Sequence, residues 1–391
     1  RDIGAQSTMG LVYTDKIDGS DYNRVAGVDG RFVFNRTYTL GAQVAGSFWR
    51  TGDQKETVPL WELSFNRNSR KFGFSTLLEG THDDFVAGAG FISRAGIVHS
   101  LIQPRLTFYG APESRVQSYQ LSFNFDNTWD YQEFEDGAGP DDIKFHWMNN
   151  WQLRGGWSLG ASTFIETFRF PDQFYTNYWV VRRDQGGAVT DTVRFQGRRR
   201  IPNYDLMLTF GTPQFPKFSA NGNLVFGRDE NFEEWAPGYI FFLTANTDYR
   251  PTDQLRVNLR YVEQRTVRPS DRSVVRLSRI PRVKLEYQVT RPLFVRLVGQ
   301  YVADERDNLR DDAGSGDPIL ICNADRSQCS RGGYQRQSFN ADVLLSYQPT
   351  PGTVFYAGYG STMLDSGPFD FRNTIRSRDG FFVKLSYLFR M

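Results

Sequence analysis

Residues 379–391 (DGFFVKLSYLFRM) alternate with a period of two. Phe381, Val383, Leu385, Tyr387, Phe389 and Met391 fall on one side; Phe382, Lys384, Ser386, Leu388 and Arg390 fall on the other. Successive side chains of a β-strand point to opposite faces, so this segment has one apolar, aromatic-ended face and one mixed polar face. A strand of that kind suits a sheet with hydrocarbon on one side and something wetter on the other. At the end of an open sheet it would leave unpaired backbone groups, and a closed barrel removes that edge by pairing the last strand with the first. Taken alone, the segment fits an edge strand of a soluble sandwich equally in kind; the remaining residues separate the two.

The same alternation recurs upstream, while helical spacing is rare. Tyr38 to Phe48, Phe72 to Leu78, Trp157 to Ile165, Tyr239 to Tyr249, Leu293 to Tyr301 and Phe339 to Tyr347 each place apolar side chains at every second position. Tight turns at residues 35–37, 68–70, 154–156, 251–254 and 349–352 alternate with longer polar loops, among them 15–21 and 227–238. This pattern predicts about eighteen strands in a closed antiparallel transmembrane β-barrel, with short periplasmic turns and long extracellular loops. Aromatic residues are 15% of the chain against 39% hydrophobic overall. Tyr38, Trp157, Tyr204, Tyr249, Tyr347 and Phe389 are expected where strands meet turns, as an interfacial girdle requires. Pro281, which has no N–H to donate, predicts a bulge in its strand. No run of apolar residues is long enough for a transmembrane helix, and strands of about 9–11 residues with alternate apolar positions escape that test. No blade-length repeat supports a propeller.

Three long interruptions stand out within a single barrel domain spanning 1–391. The Gly-rich 83–97 is expected over or in the barrel mouth. Residues 170–200 include a hairpin, VVRRDQGGAVTDTVRF, with a Gly-Gly turn. Residues 304–335 hold Cys322 and Cys329, close enough in a polar segment to form a small disulfide loop in an oxidising compartment, with two free thiols as the alternative. Such a closure stabilises by roughly 2–3 kcal/mol in the chain-entropy view. The chain opens at Arg1 with neither initiator Met nor signal peptide, so we expect that a leader, and further sequence, was removed or left out.

Alternation predicts which charges face inward. Arg256, Arg260, Arg276, Lys284 and Arg296 form a basic strip, joined by Asn258, Glu286 and Gln300. Glu62, Asp126, Glu166, Asp205, Asp248 and Asp342 are the inward acids. Such charges either set a transverse field in a water-filled pore or pair and pack the lumen. The net charge of +2, from 46 basic and 44 acidic residues, argues against nucleic-acid binding. Catalytic signals are weak: His82, His99 and His146 show no metal-ligand spacing, no GxSxG, Walker or HExxH motif occurs, and a Ser-His-Asp set around an inward His146 is the remote alternative. Residues 133–142 and 304–317 are carboxylate- and Gly-rich without an EF-hand register, which favours solvated loops over calcium sites. The loop aromatics Tyr175, Tyr178, Trp179 and Trp235 offer stacking surfaces for sugars, or fold onto one another.

SYQPTPGTVFYAGYGS (346–361), RDGFFVKLSYLFRM (378–391), RVAGVDGRFVFNRTYTLGAQVAGSF (24–48) and FVAGAGFISR (85–94) resemble the C-terminal barrel of a bacterial family of outer-membrane proteins of unknown function. Full-length members of that family carry an N-terminal domain like the family-9 carbohydrate-binding modules. The resemblance covers nearly the whole chain as the barrel half alone, with the N-terminal periplasmic domain absent. It implies an outer-membrane location, carbohydrate-related binding or uptake, and no catalytic residue. Val383, Leu385, Tyr387 and Phe389 are the expected assembly signal, although ordinary porins end on Phe itself, whereas Arg390 and Met391 follow here. The partners to expect are the lipid bilayer, lipopolysaccharide, the barrel-assembly machinery and a periplasmic or surface protein. The functional expectation is a non-enzymatic channel or uptake component for polar solutes, saccharides among them; the alternative is a docking barrel with an occluded lumen.

Overall fold

The computed structural model describes residues 1–3, 6–169, 172–198 and 200–388. In chain order its strands begin with β1 (Asp2–Ile3), β2 (Ser7–Asp18), β3 (Asp21–Phe34), β4 (Tyr38–Thr51), β5 (Gln54–Arg67) and β6 (Phe72–Thr81). There follow β7 (Ile97–Tyr109), β8 (Val116–Asp130), β9 (Asp142–Leu153), β10 (Ser158–Phe168), β11 (Tyr178–Arg183) and β12 (Val189–Arg194). Next come β13 (Ile201–Gly211), β14 (Phe218–Asn231), β15 (Ala236–Tyr249), β16 (Leu255–Val267), β17 (Val274–Thr290) and β18 (Leu293–Arg306). The last are β19 (Ile319–Cys322), β20 (Cys329–Ser330), β21 (Tyr334–Thr350), β22 (Thr353–Leu364) and β23 (Ile375–Ser386). A five-residue helix, α1 (Tyr131–Glu135), is capped by Asp130, which accepts from the backbone N–H groups of Gln132 and Glu133.

Nineteen strands belong to one sheet and four, β12-β11-β19-β20, to another. The twenty-three strands exceed the expected eighteen by the short β1, β19 and β20, too short for alternation to register, and by the hairpin β11–β12, which was expected within the 170–200 interruption rather than among the barrel strands. The chain divides into two compact units, residues 1–151 with 162–169 and residues 152–161 with 170–391.

In the second unit, cross-strand register sorts side chains cleanly. Phe218, Tyr249, Val257, Leu285, Leu297, Val343, Tyr359 and Phe381 form one unbroken apolar row from β14 to β23. The row beside it, Leu255, Tyr287, Val295, Leu345, Ala357 and Val383, has the same character. Alternate positions carry Asn246, Arg260, Arg282, Gln300, Asn340 and Thr362 in one row and Asp248, Asn258, Lys284, Val298, Asp342 and Gly360 in the next. Leu259, Leu297, Val343 and Tyr359 are exposed, so the apolar face is uncovered. Exposed apolar area this continuous marks a lipid- or partner-facing surface.

The first unit repeats the sorting. Leu11, Val28, Val44, Trp61 and Gly80 face one way; Gly10, Asp29, Gln43, Glu62, Glu79 and His99 face the other. Gly80 is required here, since a Cβ would lie 2.5 Å from the Trp61 ring laid across it. Asn35 and Arg36, both at positive φ (48° and 55°), make the tight β3–β4 turn closed by Thr37 N–H donating to Phe34 C=O at 3.1 Å. A small core of Val25, Ala45, Val58 and Phe85 forms where the segment after β6 folds back on β3–β5.

Several expectations are corrected. Residues 15–21 and 227–238 are mostly strand, because polar side chains occupy both faces of these hairpin ends and apolar alternation vanishes there. Strict alternation of short turns with long loops therefore fails at the β2–β3, β4–β5 and β14–β15 connections. Pro281 makes no bulge: it sits opposite Tyr261 in an unshifted register, and the β17–β18 ladder resumes in step on either side. Tyr204 lies at the loop end of β13, opposite Arg228 and away from the 212–217 turn. The terminal strand starts earlier than expected and stops at Ser386, leaving Tyr387 past its end, while Phe389 lies outside the described residues. Among the described residues β23 pairs on one edge, with β22, and β2 carries only the short β1 besides β3. Among the described residues the ladder does not close.

Candidate functional site

The polar face of β15–β18 and β21 brings most of the expected basic strip together. The pleat puts Arg256, Asn258 and Arg260 on the same side of β16, and register sets them opposite Glu286, Lys284 and Arg282 of β17. Pairing then divides them. Arg256 donates to Asp248, with Nη2 at 2.7 Å from Oδ2, and Lys284 lies 3.2 Å from Glu286. Arg276 stands farther along, at the loop end, where it contacts Asp304 and Glu233, each at 3.1 Å. By contrast, Arg260, Arg282 and Arg296 enter no ion pair among the described residues. Arg282, Lys284, Arg296 and Asp342 line a recess of about 510 Å³. At the turn end, Lys217, Arg250, Arg256, Glu286, Gln288 and Phe294 line a larger one of about 860 Å³.

Sequence reasoning missed Arg282, which shares the face of Arg260 and Lys284. The signal was present: Arg282 is two residues before Lys284 on one strand, and a period of two puts both on one side. It also missed the loop-end network. Arg268, just past β16, is 1% exposed at its side chain and forms a two-pronged pair with the fully buried Glu234, Nη2 to Oε1 at 2.6 Å and Nε to Oε1 at 2.9 Å. Its other donors reach Asp307 at 2.7 Å, Ser273 at 3.0 Å and the Asn308 carbonyl at 2.8 Å. Beside it Arg310 bridges Asp271 and Asp312, both at 2.8 Å. The Arg310 guanidinium, with the Ser273 hydroxyl, holds the Asp271 carboxyl well below the usual carboxylate range. These contacts fasten three connections, 232–235, 268–273 and 307–333, into one ionic cap.

The expected acids are dispersed. Glu62 faces Gln43 and Glu79. Asp126 contacts His99 at 3.3 Å, and His99 also meets Glu79 at 3.1 Å. His146 contacts Glu166 at 2.5 Å. Asp205 is buried opposite Gly227. Asp342 lies beyond Val298 in the Lys284 row. His82 packs edge-on against Tyr131. In the carboxylate-rich loops, Glu133 and Asp141 both pair with Arg169.

Residues 82–96 cross the polar face of β3 and β4. Asn23 and Ser47 donate to the Val86 carbonyl at 3.0 and 2.7 Å, and Trp49 Nε1 donates to the Asp84 carbonyl at 2.9 Å. In the 170–200 segment, β11 and β12 form the expected hairpin, extended by β19. Cys322 and Cys329 are disulfide-bonded, joining β19 to β20. The loop aromatics stack on one another: Phe174 lies parallel to Trp235 at 5.5 Å, and Tyr175 and Tyr178 pack on Phe195.

These features define an all-β antiparallel protein with one lipophilic and one charged face. No protein-family model matches the chain, and no curated protein does either. Among solved structures it is similar to a mutant ferric enterobactin receptor (PfeA) from Pseudomonas aeruginosa, at 10% identity and a TM-score of 0.42 over 92% of this chain and 68% of that one. It is also similar to the outer membrane channel DcaP of Acinetobacter baumannii, at 11% identity and a TM-score of 0.35 over 72% and 79%. A third is outer-membrane expressed OmpT of Vibrio cholerae, at 11% identity and a TM-score of 0.28 over 98% of each chain.

Proposed function

We propose that the chain is a bacterial outer-membrane β-barrel whose long strands close around a hydrated lumen, and that it acts as a channel or uptake component for polar solutes. The observation carrying this reading is the sorting of faces: uncovered apolar rows run strand to strand on one side while charged and amide rows run on the other. Only hydrocarbon outside and water inside reward that division on every strand. Closure would satisfy the free edge of β23, whose residues are exposed throughout. The barrel is read as non-catalytic, inserted by the barrel-assembly machinery into a bilayer bearing lipopolysaccharide. Saccharides enter as solutes through the sequence resemblance alone.

A second reading has its own observation. The segment after β6 is held over the polar face by hydrogen bonds at Asp84 and Val86, which favours a docking barrel with a narrowed or blocked lumen. Two measurements divide the readings: migration on a gel before and after boiling, and conductance in planar bilayers. A channel gives a faster unboiled band and stable current steps. A docking barrel gives the shifted band, no current, and a stoichiometric partner retained in mild detergent.

A further inference from the structure

We infer that Arg260 and Arg282, with Arg296 two rows along the same face, form a binding site for oxyanionic solutes, those bearing a carboxylate or phosphate group. This rests on the channel reading and names the class of solute for it. Arg260 and Arg282 are direct cross-strand partners on β16 and β17, on the polar face. Like charges directly opposite one another are unfavourable in a sheet, so such a pair normally carries a counter-charge. The neighbours show how this face supplies one: Arg256 has Asp248, and Lys284 has Glu286. Arg296, opposite Glu286 in register, stands two rows along the same face, lines the same recess as Arg282, and like Arg260 and Arg282 enters no ion pair among the described residues. Asp342 is the carboxylate of these rows left outside an ion pair, so three guanidiniums outweigh one acid. Gln300 and Asn340, in the Arg260–Arg282 row, add neutral hydrogen-bonding groups alongside.

Guanidinium presents a planar fork that matches carboxylate and phosphate oxygens two at a time, which a simple cation such as potassium cannot use. An approaching oxyanion relieves the repulsion between the arginines, so binding strengthens there without requiring any other acid to move. A free inorganic anion and an acidic sugar share this chemistry and are separated by the probes below.

The test uses the full chain in planar bilayers under a potassium chloride gradient, with the Arg260→Gln/Arg282→Gln and Arg260→Lys/Arg282→Lys variants. Gel migration before and after boiling confirms that each is folded. The wild type is expected to prefer chloride to potassium. The glutamine variant should lose about threefold or more of that preference, and the lysine variant should keep it. Pyrophosphate and glucose 6-phosphate should block wild-type current in the millimolar range, about tenfold better than in either variant, while uncharged glucose blocks none of the three. Pyrophosphate acting alone assigns the site to free anions; glucose 6-phosphate acting as well extends it to acidic sugars. A cation-preferring wild type, or a preference unmoved by glutamine, overturns the inference and leaves the channel reading standing. Absence of any current removes the channel reading. The site is then judged by pyrophosphate titration in detergent, where wild-type binding lost on glutamine substitution upholds it and no binding rejects it.

Discussion

Single residues carry unequal weight on the two faces. Val343 lies in the middle of an apolar row and is exposed, whereas Asn340 on the same strand lies in the row of Gln300 and Thr362. Val343→Arg is expected to cost about 2–4 kcal/mol, the usual figure for arginine near a bilayer midplane. Asn340→Arg should cost under about 1 kcal/mol, because that side meets water; urea unfolding in lipid vesicles compares them. The buried Arg268–Glu234 pair behaves in the opposite sense from exposed pairs. Arg268→Ala leaves the fully buried Glu234 carboxylate without its guanidinium, and should lower local stability by about 3–5 kcal/mol. The readout is faster tryptic cleavage at Arg272 or Arg310 with the barrel band unchanged. Asp271 adds a pH signature. Its carboxyl is depressed by Arg310 and Ser273, so its contribution is present above the ordinary carboxylate pKa and is lost as pH falls through the depressed value. Protection factors over 268–273, corrected for the intrinsic pH dependence of amide exchange, should match at pH 7 and pH 4 and fall only in stronger acid; a fall already at pH 4 contradicts this. Much of the face assignment was legible from period two, since Arg256, Arg260, Lys284 and Arg296 do share one side. Their charge balance was not legible. Arg256 finds Asp248 across a hairpin, and Arg276 finds Glu233 on another loop, so both neutralisations depend on register and loop path.

At the level of elements, the loop hairpin β11–β12 was visible because its Gly-Gly turn interrupts two β-branched runs. Its extension into a four-stranded sheet was not, since β19 has only four residues and β20 two. The disulfide completes this sheet by tying β19 to β20 across a sequence separation of 7. Closing so short a loop stabilises by about 2–3 kcal/mol in the chain-entropy view. Arg326 lies over the Trp179 ring at 4.5 Å, between the two cysteines in sequence. Cys322→Ser/Cys329→Ser is therefore expected to expose the chain to trypsin at Arg326 and Arg331 while boiling-dependent migration stays as in wild type. Cleavage that is equally slow with and without the disulfide would show that strand pairing alone holds the sheet. The strands themselves were legible wherever one side is apolar, and their boundaries failed where both sides are polar, as in the hairpins around Gly19, Gly52 and Glu233.

For the whole molecule, the claim is that the apolar rows meet hydrocarbon and the charged rows meet water. Eighteen long strands accord with the alternation, whereas the closure expected from it is absent from the ladder among the described residues, which ends at β23 and at β2 with β1. The most direct measurement is a nitroxide scan in lipid vesicles, with single cysteine labels in a chain whose native cysteines are replaced by serine. Labels at Leu259, Val283, Leu297 and Val343 sample one face and labels at Asn258, Arg282, Val298 and Asp342 the other. The first set is predicted to relax with dissolved oxygen and the second with a water-soluble nickel chelate, alternating residue by residue. Equal access of the nickel chelate to both sets, or a protein that stays soluble and folded without detergent or lipid, would contradict it.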